Sequence, residues 1–383
     1  MTATSRAHDP KPVARLSVGQ VLAWRMRRQL LHPVGSLGVV DTVEAMVGAQ
    51  AQVQSSAELG IALRRRNATV GEAAAAIADR TLMRTWAMRG TLHMVATRDV
   101  RWMVSLLGPV FAAKGRRRRE QLGLDDATCE RALTALASIL AGSAQLTRAE
   151  LVTRLAAEGI PIDPRTQQPP HLLGYAANRG LICRGPDRPG EEPAYVLLDD
   201  WAPDAPSLGR DEALAELARR YLGGFGPAAP ADFAAWSGLP APDGRRAWAL
   251  IAGELSQVTA SGERLSALAG GDEGPAQAGP APRLLGHFDP YLLGYRDRGL
   301  VLDPRYTRRI QAGGGFIQPA VIVDGRVAGT WRLARDARRG TARITVEPFT
   351  ALPEASRAGL AAEAADIGRF LGSEVTFGIA PAA

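Results

Sequence analysis

Leu181-Ile182-Cys183-Arg184 and Tyr195-Val196-Leu197-Leu198 are two short, β-prone apolar runs flanking the turn-rich residues Gly185 to Pro193. Apolar runs bounded by Gly and Pro in this way read as a two-stranded hairpin. Just upstream, Gly180 stops a helical pattern over Pro169 to Arg179. Before that, Thr147 and Glu150 have capping-box spacing and open a helix that ends at Gly159, and a further helix covers about Ala127 to Ala141. Three helices followed by a wing is the order of a winged helix.

The same order extends in both directions. Upstream, Ser17 and Gln20 form a capping box that starts a helix running through Val21, Leu22, Trp24 and Met26 to about Leu31. Asp41 reads as an N-cap with Glu44 three residues on, and Thr69 with Glu72 opens an alanine-rich helix to Ala78. Met83 to Val95 reads as a short helix turning into strand, and a helix from Asp99 to about Phe111 leads into Lys114-Gly115-Arg116-Arg117-Arg118-Arg119. Downstream, helices over Glu212 to Leu222, Pro230 to Trp236 and Asp243 to Leu255 precede a weaker wing, Val258 to Ala267. No fixed period ties the units together, so the repetition is architectural.

After a Gly-, Pro- and Ala-rich stretch the chain changes character. Leu284 to Tyr291 and Phe316 to Val323 read as strands, Asp324-Gly325 is a strong hairpin turn, and a second hairpin carries Arg335 to Gly340 at its tip. A helix from about Pro353 to Phe370 and a strand from Val375 to Ile379 complete a β-rich unit. The expected class is therefore α+β. Winged-helix modules span residues 16–122, 123–203 and 204–270, a linker covers 271–282, and the β-rich domain covers 283–383.

With 383 residues, 46% hydrophobic and 22% charged, the composition is that of a globular protein with several cores. Met1 to Arg15 lacks the apolar stretch of a signal peptide, no run reaches membrane-spanning length, and Cys129 and Cys183 stand alone. These features point to the cytoplasm, with no membrane partner, no metal and no cofactor. Residues 1–120 hold 19 Lys+Arg against 8 Asp+Glu, whereas the remainder holds 27 against 31. Only Lys11 and Lys114 of the 46 cations are lysines. Arginine forks onto phosphates, so nucleic acid is the leading partner of the basic N-terminal third. Base composition of the genome explains the scarcity of lysine but not the asymmetry.

That third contains Val47-Gly48-Ala49-Gln50-Ala51-Gln52-Val53-Gln54-Ser55. On a continuing helix Gln50 and Gln54 would share a face, whereas in an extended stretch Gln50 and Gln52 would point the same way. The spacing leaves the pairing open, and solvated surface amides are the plain alternative. Glutamine has no useful pKa, so any chemistry here starts from an already reactive substrate.

Ala49-Gln50-Ala51-Gln52, Arg89-Gly90-Thr91-Leu92-His93, Asp289 to Arg298 and Val323-Asp324-Gly325-Arg326-Val327-Ala328-Gly329-Thr330-Trp331 occur in this order, and together they resemble the winged-helix DNA glycosylases of the AlkZ type. The resemblance runs from about residue 16 to 380. It implies tandem winged helices and a C-terminal β-barrel-like domain around a C-shaped cleft for duplex DNA. It also makes Gln50 and Gln52 the catalytic pair, extended, with Gln54 outside the motif. Some relatives carry an acid at the second position, and this chain does not. The implied reaction is hydrolysis of the N-glycosidic bond of N7-alkylated purines, bulky adducts or crosslinks included, in DNA repair or self-resistance.

Such a purine is cationic and leaves readily, so it needs a positioned water and stabilisation of an oxocarbenium-like sugar. With no lysine near the motif, a monofunctional enzyme is expected, acting as a monomer on duplex DNA with alkylated purines. Arg89, Thr91 and His93 are candidate DNA-contacting residues, although a lone strand histidine is more often a structural hydrogen-bonder. Arg116, Arg117, Arg118 and Arg119 form either a phosphate patch or a solvated helix end. Arg335, Arg338 and Arg339 are minor-groove probes by likeness to a hairpin of relatives, or a solvated turn. Asp289, Arg296 and Arg298 read as a structural ion-pair set. The competing class is a winged-helix transcription regulator. The clearest recognition helix, Pro169 to Arg179, carries one Arg and no Lys, which speaks against it.

Overall fold

The computed structural model describes residues 14–188, 192–270, 281–336 and 338–382. Most of the expected linker, part of the turn between the two runs quoted first, and Ala337 of the second hairpin lie outside these residues.

The stretch that decides the fold behaves as expected. Helices Asp126–Ile139, Arg148–Ala157 and Gln168–Asn178 precede strands Ile182–Arg188 and Glu192–Leu197. Thr147 and Glu150 make the full capping box. Leu136, Leu151, Leu172 and Ile182 fill the core beneath the hairpin. The first unit holds helices Val18–Arg28, Val39–Ala45, Gln54–Ala62 and Glu72–Ala78, followed by strands Leu82–Trp86 and Leu92–Ala96. Met83 to Val95 is thus a hairpin throughout, not a helix turning into strand. The two strands pair antiparallel, with Met83 opposite Val95 and Thr85 opposite His93, and Met88–Gly90 only makes the turn.

The two hairpins are not separate wings. They join at Arg84 opposite Arg184 into one six-stranded sheet, with Ala49–Gln50 at one edge and Leu146–Thr147 at the other. A second, three-stranded sheet pairs Leu255–Ala260 with Glu263–Leu268 and adds Ala14–Leu16 from the N-terminal end, in parallel. The helix Arg210–Phe225 crosses close to Val39–Ala45, where a Cβ at Gly224 would lie 2.6 Å from the Ala45 carbonyl. Only glycine permits that approach. It brings Tyr221, Phe225 and Trp236 into one core with Val47, Val95 and Trp102.

The C-terminal domain departs from the barrel expectation. Its five strands run in the order Arg283–Leu285, Ala320–Val323, Arg326–Asp336, Thr341–Pro348 and Glu374–Ile379, an open sheet whose two edge strands do not pair with each other. The helix Glu354–Leu371 covers it with Leu360, Ala364 and Ile367, so the apolar face is buried without closing the sheet on itself. Thr341–Pro348 and Glu374–Ile379 pair in parallel, which requires this crossover helix. Leu22, Met26, Leu59 and Leu63 of the first unit complete the same core. No helix among the described residues is long and apolar enough to cross a membrane.

Candidate active site

The helix before the glutamines starts earlier than the capping pattern suggested. Gly38 is its N-cap and Asp41 lies in the first turn, while Glu44 is drawn into an ion pair with Arg98. Val47 and Gly48 then both take left-handed backbone conformations, with φ of 54° and 96°. These break the helix and turn the chain into an extended strand, with Gln50 opposite His93 and the Ala51 N–H donating to the Leu92 carbonyl at 2.8 Å. Gln50 and Gln52 therefore project to the same side. Gln54 starts the next helix, where it donates to Glu58 at 3.0 Å and accepts from Arg84, apart from the other two.

The two amides form a directed chain. Gln50 Nε2 donates to Gln52 Oε1 at 2.6 Å, and Arg89 Nη2 donates to Gln50 Oε1 at 2.7 Å. Arg89 Nη1 also donates to the Trp236 carbonyl at 2.7 Å, so the guanidinium joins the first hairpin to the helix Pro230–Ser237. A guanidinium only donates, so Gln50 must turn its oxygen to Arg89 and its nitrogen to Gln52. Gln50 is buried and Gln52 exposed, which leaves the Gln52 amide and one lone pair of its oxygen open to a substrate.

Burial, and then the nearby charge of Arg298, lower the Arg89 pKa to about 10, so it stays protonated at neutral pH. Arg298 forms no ion pair with Asp289, its guanidinium donating to the Leu292 carbonyl instead. Asp289 is buried against Arg64 through oxygens 2.8 and 2.9 Å from the guanidinium, and the Arg296 backbone N–H donates to Asp232 instead. No local spacing signalled these partners, which come from 225 residues away in the case of Arg64.

His93 is fully buried beside Gln50 and donates from Nδ1 to the Thr91 carbonyl at 2.8 Å. Burial first, and then Arg89, pull its pKa down to about 3. It is thus a neutral ring at neutral pH. Thr85, opposite His93 on the next strand, has a buried hydroxyl with no partner among the described residues. The Thr91 hydroxyl donates to the Met88 carbonyl at 3.1 Å and closes the turn that carries Arg89.

The remaining candidates stand apart from the amides. Within Arg116–Gln121, Arg116 pairs with Glu120 and Asp126, Arg118 donates to Gln167 at 2.9 Å, and Arg117 is exposed. Arg119 leaves the surface patch expected of the run. It is buried, donates to the Ala112 carbonyl at 2.9 Å and lies over the Tyr175 ring, because its helix turns that face toward Gln168–Asn178. Arg335, Arg338 and Arg339 are exposed on the long hairpin, with Arg335 donating to the Leu371 carbonyl and Arg339 3.5 Å from Asp336.

The Arg89–Gln50–Gln52 chain lies in the basic N-terminal third. Comparison with known proteins gives the class of enzyme. A family described as DNA glycosylase AlkZ-like matches residues 43–370. A relative from Streptomyces sahachiroi, named an interstrand DNA cross-link repair glycosylase, is 33% identical over 371 residues, covering 92% of this chain and 96% of the relative. The solved structure of Streptomyces sahachiroi DNA glycosylase AlkZ superposes with a TM-score of 0.81 at 32% identity, over 96% of this chain and 100% of that one. The protein is a DNA glycosylase. It belongs to the AlkZ-like family.

Proposed function

We propose that this enzyme hydrolyses the N-glycosidic bond of N7-alkylated purines in duplex DNA, bulky adducts and interstrand crosslinks included, and leaves an intact abasic site. The observation that carries this reading is the Arg89–Gln50–Gln52 chain, which contains amides and a cation but no carboxylate. Such a set neither protonates a leaving base nor deprotonates water. It suits a base that already carries its positive charge.

As the C1′–N9 bond breaks, its electron pair neutralises the purine and positive charge moves to the sugar. The free lone pair of Gln52 Oε1 faces that charge, and the Gln52 amide group orients the incoming water, whose proton passes to solvent. Lys114 Nζ donates to the Gly238 carbonyl at 2.7 Å and bonds neither amide, which favours a monofunctional course over a Schiff base. The DNA path we infer runs across winged-helix modules at residues 16–122, 123–203 and 204–270 and the C-terminal domain from 283. Arg117 and Arg118 would meet phosphates, and Arg335, Arg338 and Arg339 the minor groove. The cross-link repair named for the relative supports the bulky end of this substrate range.

Incubation with duplex DNA carrying an N7-alkylguanine should yield sites that break only on heating with base. Replacing both Gln50 and Gln52 by Ala should abolish them and leave DNA affinity within a few-fold. Strand breaks without heating, or a covalent complex trapped by borohydride, would refute the amide-only course.

A further inference from the structure

Arg89 sits in the left-handed region of the backbone map, with φ of 57°. A residue with a long side chain holds that conformation only where its surroundings enforce it. The enforcing neighbour is the C-terminal end of the helix Pro230–Ser237, whose Trp236 lies 147 residues from Arg89 in sequence.

The donors at that end can be accounted for one by one. The Gly238 N–H donates to the Ala234 carbonyl at 2.9 Å, the Leu239 N–H donates to the Ser237 hydroxyl at 3.2 Å, and Pro240 has no N–H to give. The Trp236 carbonyl is therefore left without a backbone donor, and Arg89 Nη1 supplies one at 2.7 Å. Lys114 Nζ donates to the Gly238 carbonyl, also at 2.7 Å. Two cations thus meet the negative end of one helix, which its dipole favours.

Gly238 makes this approach possible. Its φ is 79°, and a Cβ built on it would lie 2.9 Å from the Arg89 Cα and 2.9 Å from the Phe111 ring. A Cβ on Gly90 would come within 3.1 Å of the same ring from the Met88–Gly90 turn. Phe111 is buried and the Arg89 Cα is backbone, so neither yields as the tip of a flexible side chain would. Any side chain at 238 pushes the helix end and the Arg89 turn apart.

We propose that Gly238 is a positioning residue for base release. It lets the helix end close on the turn, so that the Trp236 carbonyl sets the Arg89 guanidinium against Gln50. The proposal rests on the base-release reading of the Arg89–Gln50–Gln52 chain. It adds that a distant segment, offering no side chain to the reaction, decides where the cation of that chain stands.

The test measures single-turnover release from duplex DNA carrying an N7-alkylguanine, at saturating enzyme, beside affinity for the same DNA. Gly238→Ala should slow release about tenfold and leave affinity within twofold, because a small displacement of Arg89 acts on the reaction and not on phosphate contacts. In an Arg89→Met background the same change should have no further effect, whereas a general structural defect would slow both backgrounds alike. Full release by Gly238→Ala with Arg89→Met impaired overturns the proposal alone, and so does an equal loss with and without Arg89. Full release by both single variants refutes the base-release reading on which it rests. If Gly238→Ala does not fold, Lys114→Met decides. It frees the Gly238 carbonyl and should slow release several-fold where Arg89 is present and not in Arg89→Met; a loss independent of Arg89, or none, overturns the proposal.

Discussion

Arg89 Nη2 lies 2.7 Å from Gln50 Oε1, and this contact dictates which way the Gln50 and Gln52 amides face. Without the guanidinium, the Gln50 amide could turn over and present either end to Gln52. Its charge also polarises Gln50 toward Gln52, as in any chain of coupled hydrogen bonds.

Arg89→Met should therefore lower single-turnover base release by roughly ten- to hundredfold, the effect of losing a charged hydrogen bond of about 1.5–3 kcal/mol. Adding Arg89→Met to Gln50→Ala should cost far less than the product of the two single effects, because both act through one amide. Independent, multiplying effects would show that Arg89 serves only as a DNA contact.

The neutral buried ring of His93 makes a pH prediction. Its folded pKa of about 3 lies below the ordinary 6.5, so the unfolded chain takes up a proton first as pH falls. Stability is then unaffected above about 6.5 and lost progressively between 6.5 and 3, with a slope of up to about 1.4 kcal/mol per pH unit from this residue. Urea midpoints between pH 7.5 and 4.5 should fall less steeply in His93→Asn than in the wild type. In the same variant, base release should keep its pH profile near neutrality, because the ring does not titrate there.

The basic run should divide by environment. Arg117 and Arg118 carry no carboxylate partner among the described residues, whereas Arg116 has Glu120 and Asp126, and Arg119 is buried. Each phosphate contact contributes about 0.9 to the slope of log affinity against log salt. Changing Arg117 and Arg118 together to Gln should therefore flatten the slope by about 1.8, and Arg116→Gln should leave it nearly unchanged. Binding isotherms at four salt concentrations distinguish these outcomes.

Arg64 and Asp289 are both buried and tie the Gln54–Ala62 helix to the C-terminal domain. Removing one partner strands a charge, so Arg64→Met should cost about 3–5 kcal/mol. The paired change Arg64→Met with Asp289→Leu should recover much of that loss in denaturant unfolding. Equal destabilisation by the single and double variants would show that packing, not charge, dominates there.

The sequence by itself determined the elements whose signals are local. The capping boxes at Ser17 and Thr147, the stop at Gly180, the Asp324-Gly325 turn and the helix–helix–helix–hairpin order all act within a few residues, and they stand in the structure. Tertiary structure alone decided the rest. The pairing of Gln50 with Gln52 depends on Val47 and Gly48 adopting left-handed conformations next to the His93 strand, a cost that neighbouring chain must offset. The openness of the C-terminal sheet depends on where the Glu354–Leu371 helix lands. Arg89 offers the same guanidinium to a phosphate or to an amide. Only the fold, by burying it against the Trp236 carbonyl and Gln50, sets which group it meets in the free enzyme.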